Sequence, residues 1–489
     1  MIKKYSYGTP FPTDAVVLEL ESSKEPLPFF ETDGAGTFTY SLSEEDIVYG
    51  LGEQIRGINK RGWQYISWNS DNPNHQEDTR SLYGAHNFMI ICGTVLFGVF
   101  FDYAGKMEFD IGYTKRTVMQ IKAEKNDLAV YIITGKTEKE IAKQFRTLIG
   151  KSYIPPFWAF GYGQSRWGYK TEQDIRTVAE QYQAAGIPLD SIYLDIDYMD
   201  RYKDFTVDPE RFPDLKNLVQ DMQKQGIHLV PIIDAGVKIE TGYDVYEEGV
   251  QNNYFCKNAD GEDFVGAVWP GRVHFPDFLQ PEARDWFGKK YAVLTDLGIE
   301  GFWNDMNEPA IFYTEDRLAD TCAEIQKLAS KNMGTQDYFA FTGMVAGLNG
   351  NKGDYDKFYH NVNGQMIRHR EIHNLYGMNM TRSAFEALQE ICPEKRTLFF
   401  SRSSYIGAHR YGGIWLGDNA STWSQLLANI QMMPNVQLCG FLYTGADLCG
   451  FSYDTTPDLA LRWLESGLFP PLMRNHSTAG SRMQEYYRF

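Results

Sequence analysis

The stretch Gly301-Phe-Trp-Asn-Asp-Met-Asn-Glu-Pro-Ala310 runs from apolar residues into Asp305, Asn307 and Glu308. An apolar run ended by acids and a proline reads as a buried parallel strand emerging at a polar mouth. The same junction recurs along the chain. Gln164-Ser-Arg166-Trp167 follows one apolar run, and Asp195-Ile-Asp197-Tyr-Met-Asp200 follows the next. Asp234, Ser401-Arg402, Asp418-Asn419, Asp447 and Arg474-Asn475-His476 close the others. Aromatic residues sit among them: Trp167, Trp269, Trp303, Trp415 and Phe451. A solvated rim explains any single acid, but nothing in barrel stability requires charge at every strand end.

Many Asp residues with Arg, His and a ring of Trp suit glycoside hydrolysis. One carboxylate attacks or steadies the anomeric carbon, while a second, held protonated, donates to the leaving oxygen. Like charges crowded in one pocket raise the pKa of one acid, as a general acid needs. Other carboxylates and His bond sugar hydroxyls, and Trp faces pack on a pyranose ring. The rival reading is a divalent-cation site of Asp195, Asp197, Asp234, Asp305 and Glu308, with Lys238 as a base. The Trp ring has no use there.

The elements that must position these residues follow a repeating pattern after Pro156. Strands are expected at 159–163, 191–194, 228–233, 301–304, 397–400, 413–416, 440–443 and 468–472. Helices are expected at 172–185, 215–225, 281–297, 381–390, 422–431 and 456–465. Thr171-Glu-Gln-Asp174 resembles a capping box before the first helix. Eight strands alternating with helices argue for a (β/α)8 barrel over residues 156–489. An open doubly wound sheet is the runner-up, but no G-x-G-x-x-G turn follows the first strand. Residues 314–375 are too many for a simple connection and read as a subdomain inserted on the catalytic face. Residues 1–135 alternate strand-like runs with turns and read as an N-terminal β-sandwich. The polar stretch Trp68–Asp78 inside it is either a surface loop or a binding arm. Residues 136–155 read as a linking helix and a domain boundary at Tyr153-Ile-Pro-Pro.

At 489 residues the chain exceeds one hydrophobic core. A net charge of −17 argues against nucleic acid or an anionic membrane as partner. The six cysteines are scattered without a C-x-x-C pair, which fits a reducing compartment and the cytoplasm. No signal peptide or membrane span is read. Asn379-Met-Thr, Asn419-Ala-Ser and Asn475-His-Ser match the glycosylation pattern, but two lie in the expected mouth and the pattern is read as idle.

Trp303-Asn-Asp-Met-Asn-Glu-Pro309 resembles the nucleophile signature of glycoside hydrolase family 31, the α-glucosidase and α-xylosidase family. Gly413-Ile-Trp-Leu-Gly-Asp-Asn419 resembles the segment carrying its acid/base. Tyr49–Glu53, Leu194–Asp200, Val268–Gly271, Ser401–Ser403, Gly445–Phe451 and Met473–His476 resemble further family segments, in family order. Gly163-Gln-Ser-Arg-Trp-Gly-Tyr169 is most similar to bacterial intracellular α-glucosidases. The resemblance implies a retaining, exo-acting hydrolase of terminal α-linked glucose in small α-glucosides or oligosaccharides. By it, Asp305 is the nucleophile and Asp418 the acid/base, about 5–5.5 Å apart. Asp195, Arg402 and His476 would hold the −1 sugar. Asp234 and Asp447 would be neighbouring carboxylates, with Asp447 alternatively orienting Arg402. Ile232, Trp269, Trp303, Met306, Trp415 and Phe451 would form the wall, and Asp71 and Trp167 would border the +1 sugar. Neither metal nor cofactor is implied.

The chain ends shortly past His476, where family members continue with a last barrel helix and C-terminal β-domains. The barrel is therefore expected to lack that helix, leaving an apolar strip exposed beside the eighth strand. α-Xylosidase or transglucosidase activity, or a truncated sugar-binding relative, are the alternatives. Linkage preference and oligomeric state, a homo-oligomer included, stay open.

Overall fold

The computed structural model describes every residue of the chain except Asn74. Its second part is a barrel of eight parallel strands. These are β1 (Tyr162–Gln164), β2 (Ser191–Leu194), β3 (His228–Ile233), β4 (Gly301–Asn304), β5 (Leu398–Ser401), β6 (Gly413–Trp415), β7 (Thr444–Gly445) and β8 (Met473–Asn475). The ladder runs β7-β6-β5-β4-β3-β2-β1-β8. A parallel bridge from Leu448 to Asn475 joins its two ends. Closing the sheet removes exposed strand edges and brings all eight carboxyl ends to one rim.

The expected bounds of β2, β3 and β4 agree with the observed ones. The first, seventh and eighth strands lie further along the chain than expected. Apolar runs announce a buried segment but not which part of it joins the ladder. Before β1, Phe157–Phe160 is a 3-10 turn. Before β8, Pro470 and Pro471 have no N–H to offer a ladder, so pairing starts at Met473. The expected helix over 281–297 is two pieces, Pro281–Lys289 and Ala292–Thr295, interrupted by short-range bonds from the Lys290 and Tyr291 amides. The capping box is present: Thr171 accepts from the Asp174 amide, and the Asp174 carboxylate accepts from the Thr171 amide.

The N-terminal part is a sandwich of two five-stranded antiparallel sheets. Alternation builds it: in Met107–Ile111 and Val118–Ala123 every second side chain is buried. Leu128–Thr134 is buried nearly throughout, because its sheet also packs against the helix Glu138–Ile149. That helix starts at a Thr137 cap, and its Phe145 stacks on Phe88 with ring centroids 3.6 Å apart. The same cluster takes in Ile414, Leu416 and Phe441, so sandwich and barrel share one core. A two-residue parallel pairing of Gly84–Ala85 with Ser404–Tyr405 ties them again beside the barrel mouth.

The segment after β4 carries helices Glu315–Ala329 and Thr335–Ala346, neither of which buries a side chain. It returns through a hairpin, Tyr359–Val362 with Gln365–Arg368. Among the described residues no α-helix follows β8; Tyr486–Arg488 forms one 3-10 turn, and Tyr486 and Tyr487 pack on the barrel core. Exposed apolar side chains lie before β8, at Leu468 and Phe469, while Arg474 and Asn475 of the strand are buried. The three glycosylation-pattern residues, Asn379, Asn419 and Asn475, are all buried and donate internally. Among the described residues no helix is long and apolar enough to cross a membrane.

The closure of the barrel is tight at β7. A Cβ added at Gly445 would sit 2.0 Å from the Leu472 carbonyl oxygen. Gly445→Ala should therefore lower stability by about 1–3 kcal/mol, read as an earlier thermal melt against wild type.

Candidate active site

The strand ends converge on a cavity of about 290 Å³. Its floor is organised by Arg402, which follows β5 and is 2 % exposed. Arg402 Nε donates to Glu308 Oε1 and Nη2 to Glu308 Oε2, both at 2.9 Å. Nε also lies 2.9 Å from Asp305 Oδ1. Nη2 is 3.6 Å from Asp71 Oδ1, and Nη1 is 3.9 Å from Asp418 Oδ2. One guanidinium thus faces four carboxylates from three different parts of the chain. The planar fork suits this, because two of its edges can be engaged at once.

Asp305 is aimed by its own backbone. Its Oδ1 accepts from the Met306 amide at 2.7 Å, and Met306 adopts φ 56°, in the left-handed region. Asp195, at the end of β2, repeats the arrangement with the Ile196 amide at 2.7 Å. Its Oδ2 lies 3.7 Å from His476 Nε2. Burial holds His476 well below the usual imidazole range, so the ring is neutral. Its ring packs on Phe451 and edge-on to Trp303.

Several of the site carboxyls are pushed up, and the cause is burial in each case. Burial pushes Asp418 well above the carboxylate range; Arg402 opposes this, and the charges of Asp305, Asp71 and Asp447 add to it. Burial likewise raises Asp71, and lifts Asp195 and Glu308 to about 7. Asp234 is pushed well up by burial and then by Asp204, whose carboxylate accepts the Asp234 amide at 2.8 Å. Behind Glu308, burial and then the Glu308 charge keep Glu53 protonated.

The expected site residues divide in two. Asp71, Trp167, Asp195, Ile232, Trp269, Asp305, Met306, Arg402, Asp418, Phe451 and His476 line the cavity. Asp234, Trp303, Trp415 and Asp447 are buried outside that lining. Trp303 and Trp415 cage the Arg474 guanidinium at 4.6 and 5.1 Å, so they support the wall from behind. Asp447 does not orient Arg402: its Oδ1 accepts from Arg474 Nη2 at 2.6 Å. Glu308 takes that role instead. Two residues from the next turns, Ser452 and Thr478, also line the cavity, as do Pro73, Ile196 and Phe312. For Ser452, Thr478, Pro73 and Ile196, proximity in sequence to Phe451, His476, Asp71 and Asp195 was the available signal; Phe312 had no such neighbour. Asn349, from the inserted segment, had none. At the mouth, Trp269 packs against Trp167 at 5.0 Å and Phe312 at 4.8 Å. A larger cavity, about 630 Å³, lies between the helices Trp423–Leu438 and Pro457–Gly467, away from these carboxylates and mostly apolar.

Residues 152–489 match the model of the glycosyl hydrolases family 31 TIM-barrel domain. The chain belongs to glycoside hydrolase family 31. Residues 16–110 match the family 31 N-terminal galactose mutarotase-like domain. The chain is 37% identical over 450 residues to alpha-glucosidase 2 of Bacillus thermoamyloliquefaciens, covering 92% of this chain and 52% of that protein. It is 28% identical over 488 residues to the alpha-glucosidase of Saccharolobus solfataricus, covering 97% and 68%. Among solved structures it superposes on the family 31 dextranase of Flavobacterium johnsoniae, complexed with glucose, with TM-score 0.80 and 26% identity, covering 94% of this chain and 53% of that one. The chain spans about half the length of most of the curated family 31 relatives it matches.

Asp195 shows what this family 31 site costs in stability. Its folded pKa, about 7, lies above the ordinary 3.8. Its contribution is therefore fully present below pH 3.8 and is lost as pH rises through about 7. Asp195→Asn should raise the melting temperature more at pH 8 than at pH 5; an equal gain at both would contradict this origin.

Proposed function

We propose that the protein is a retaining, exo-acting α-glucosidase that releases terminal non-reducing glucose from small α-glucosides. The observation that carries this reading is that Asp305 and Asp418 share one guanidinium yet differ in environment. Asp305 is held by Arg402 and the Met306 amide, which stabilise a carboxylate oriented as a nucleophile. Asp418 sits further from Arg402 and is pushed towards the protonated form, as a proton donor must be.

In the first step Asp305 attacks the anomeric carbon while Asp418 protonates the glycosidic oxygen. A β-glucosyl ester forms on Asp305, and the aglycone leaves. Asp418, now ionised, takes a proton from water, which attacks the same carbon and restores the α configuration. Arg402 remains charged throughout and offsets the negative charge of its neighbours before and after each transfer. Asp195 and His476 face the same cavity and would bond the hydroxyls of the −1 sugar. Trp167, Trp269 and Phe312 at the mouth would receive the +1 sugar. The relatives named alpha-glucosidase support the substrate class. The net charge of −17 fits a neutral substrate better than a polyanion.

Hydrolysis of p-nitrophenyl α-glucoside beside p-nitrophenyl α-xyloside tests the reading. The glucoside should be the better substrate, and the first glucose seen by NMR should be the α anomer. Asp305→Ala should lose at least about a thousandfold in turnover. Asp418→Ala should lose less on this activated leaving group than on maltose, and azide should restore part of its rate. Initial release of β-glucose would sink the retaining mechanism.

A further inference from the structure

Three buried histidines form a hydrogen-bonded chain that the chemistry above does not use. Asp277 Oδ1 lies 2.6 Å from His360 Nδ1, and His360 Nε2 lies 2.9 Å from His369 Nδ1. His369 Nε2 is 2.8 Å from His373 Nδ1, and His373 Nε2 is 2.7 Å from the Asn69 carbonyl oxygen. All four side chains are fully buried.

The direction of this chain follows from its ends. The Asn69 carbonyl can only accept, so His373 donates from Nε2 and accepts at Nδ1. His369 must then donate from Nε2, and His360 likewise. Burial holds His369 well below and His373 at about 3, so both rings are neutral. At the other end, His360 Nδ1 meets a carboxylate that already accepts the Asn361 amide at 2.7 Å. Two acceptors at 2.6 Å need a proton between them. The chain therefore holds one proton more than three neutral rings and a carboxylate would. Asp277, His360 and Cys256 are spaced to hold a cation, but Asp277 and His360 already bond each other through the facing atoms.

The chain ends on the arm that carries Asp71. Asn69 also donates its amide N–H to Asn374 Oδ1 at 3.0 Å and Nδ2 to Ser403 Oγ at 2.6 Å, beside Arg402. Trp68 stacks on His373 at 3.7 Å. Beyond Asp71 a second imidazole, His75, bonds the Asn72 carbonyl at 3.0 Å and Gln425 Oε1 at 2.9 Å. Asp71 itself approaches Arg402 only to 3.6 Å. Its place is thus set by pins on the backbone either side of it.

We propose that Asp277, His360, His369 and His373 are positioning residues: a chain with one locked direction that fixes the Asp71 arm against the cavity. His360, His369 and His373 all belong to the inserted segment, so the insertion tunes how the acceptor half of the substrate is held. That last clause rests on the glucosidase reading; the fixing of the arm does not.

His369→Phe keeps an aromatic ring beside Phe358, somewhat larger than the imidazole, and removes both bonds. Asp277→Asn keeps the direction, because its amide can donate to His360 Nδ1, and removes the extra proton together with the long 3.3 Å bond from the Leu279 amide. In hydrogen exchange, His369→Phe should speed amide exchange across residues 69–78 by about tenfold or more, with the β2–β4 peptides unchanged. Its KM for maltose should rise about tenfold, with kcat on p-nitrophenyl α-glucoside within about threefold of wild type. Asp277→Asn should match wild type in both. Unchanged exchange in the arm of His369→Phe, or loosening by Asp277→Asn to the same extent, overturns the proposal. If the variants do not fold, wild-type protein with 15N-labelled histidine decides: His369 and His373 must be Nε2–H tautomers, and an Nδ1–H tautomer at either refutes the chain. If the arm loosens as expected but no α-glucoside is turned over even by wild type, the glucosidase reading falls and the positioning role stands.

Discussion

The Arg402 guanidinium carries a single positive charge into the floor of the cavity, where Asp305, Glu308, Asp71 and Asp418 face it. Burying several carboxylates without it would leave like charges in a medium that screens them poorly. Removing one partner of such a buried network costs about 3–5 kcal/mol, because the remaining charges lose their compensation. The bidentate Glu308 pair fixes the plane of the guanidinium, and that plane fixes what Nε and Nη1 can reach. Asp305 and Asp418 owe their difference to this geometry: one is in contact at 2.9 Å, the other stands off at 3.9 Å and is dominated by burial.

A second buried guanidinium supports the first from behind. Arg474 is tied to Asp447 and enclosed by Tyr193, Trp303, Phe400 and Trp415. Among the described residues its Nε and Nη1 have no hydrogen-bond partner, and the guanidinium lies over ring surfaces instead. Trp303 then presents its edge to His476, and His476 faces Asp195. The rigidity of the cavity-lining His476 and Asp195 thus comes from aromatic packing around a charge that lies outside the cavity lining. Ordering of this kind is what a preorganised site requires.

The N-terminal sandwich and the inserted segment add what a barrel alone lacks. The shared core of Phe88, Phe145 and Ile414 sets the sandwich rigidly on the barrel. From that base the arm with Asp71 reaches over the strand ends, and it is met there by His373 from the inserted side. A loop pinned at successive carbonyls can hold a carboxylate near Arg402 without a close ion pair of its own.

Much of this was legible in the chain as written. Parallel strands must be apolar along their length and polar where they emerge, so Trp303-Asn-Asp305 and Gly413–Asp418 marked strand, rim and acid together. The alternation of strand and helix fixed the barrel, because a parallel pair needs a helical crossover. The bounds of β7 and β8 were not legible, because the apolar runs at 440–443 and 468–472 precede the residues that pair. Nor was the partner of Arg402. Glu308 and Asp447 are both carboxylates shortly after a strand end, and only the closure of the barrel turns one towards Arg402 and the other towards Arg474. The direction of the histidine chain, likewise, exists only once the distant Asp277 and Asn69 stand within hydrogen-bond reach of its two ends. Composition and periodicity determine which residues arrive at the rim; the three-dimensional packing decides which of them share a proton, a charge or a wall.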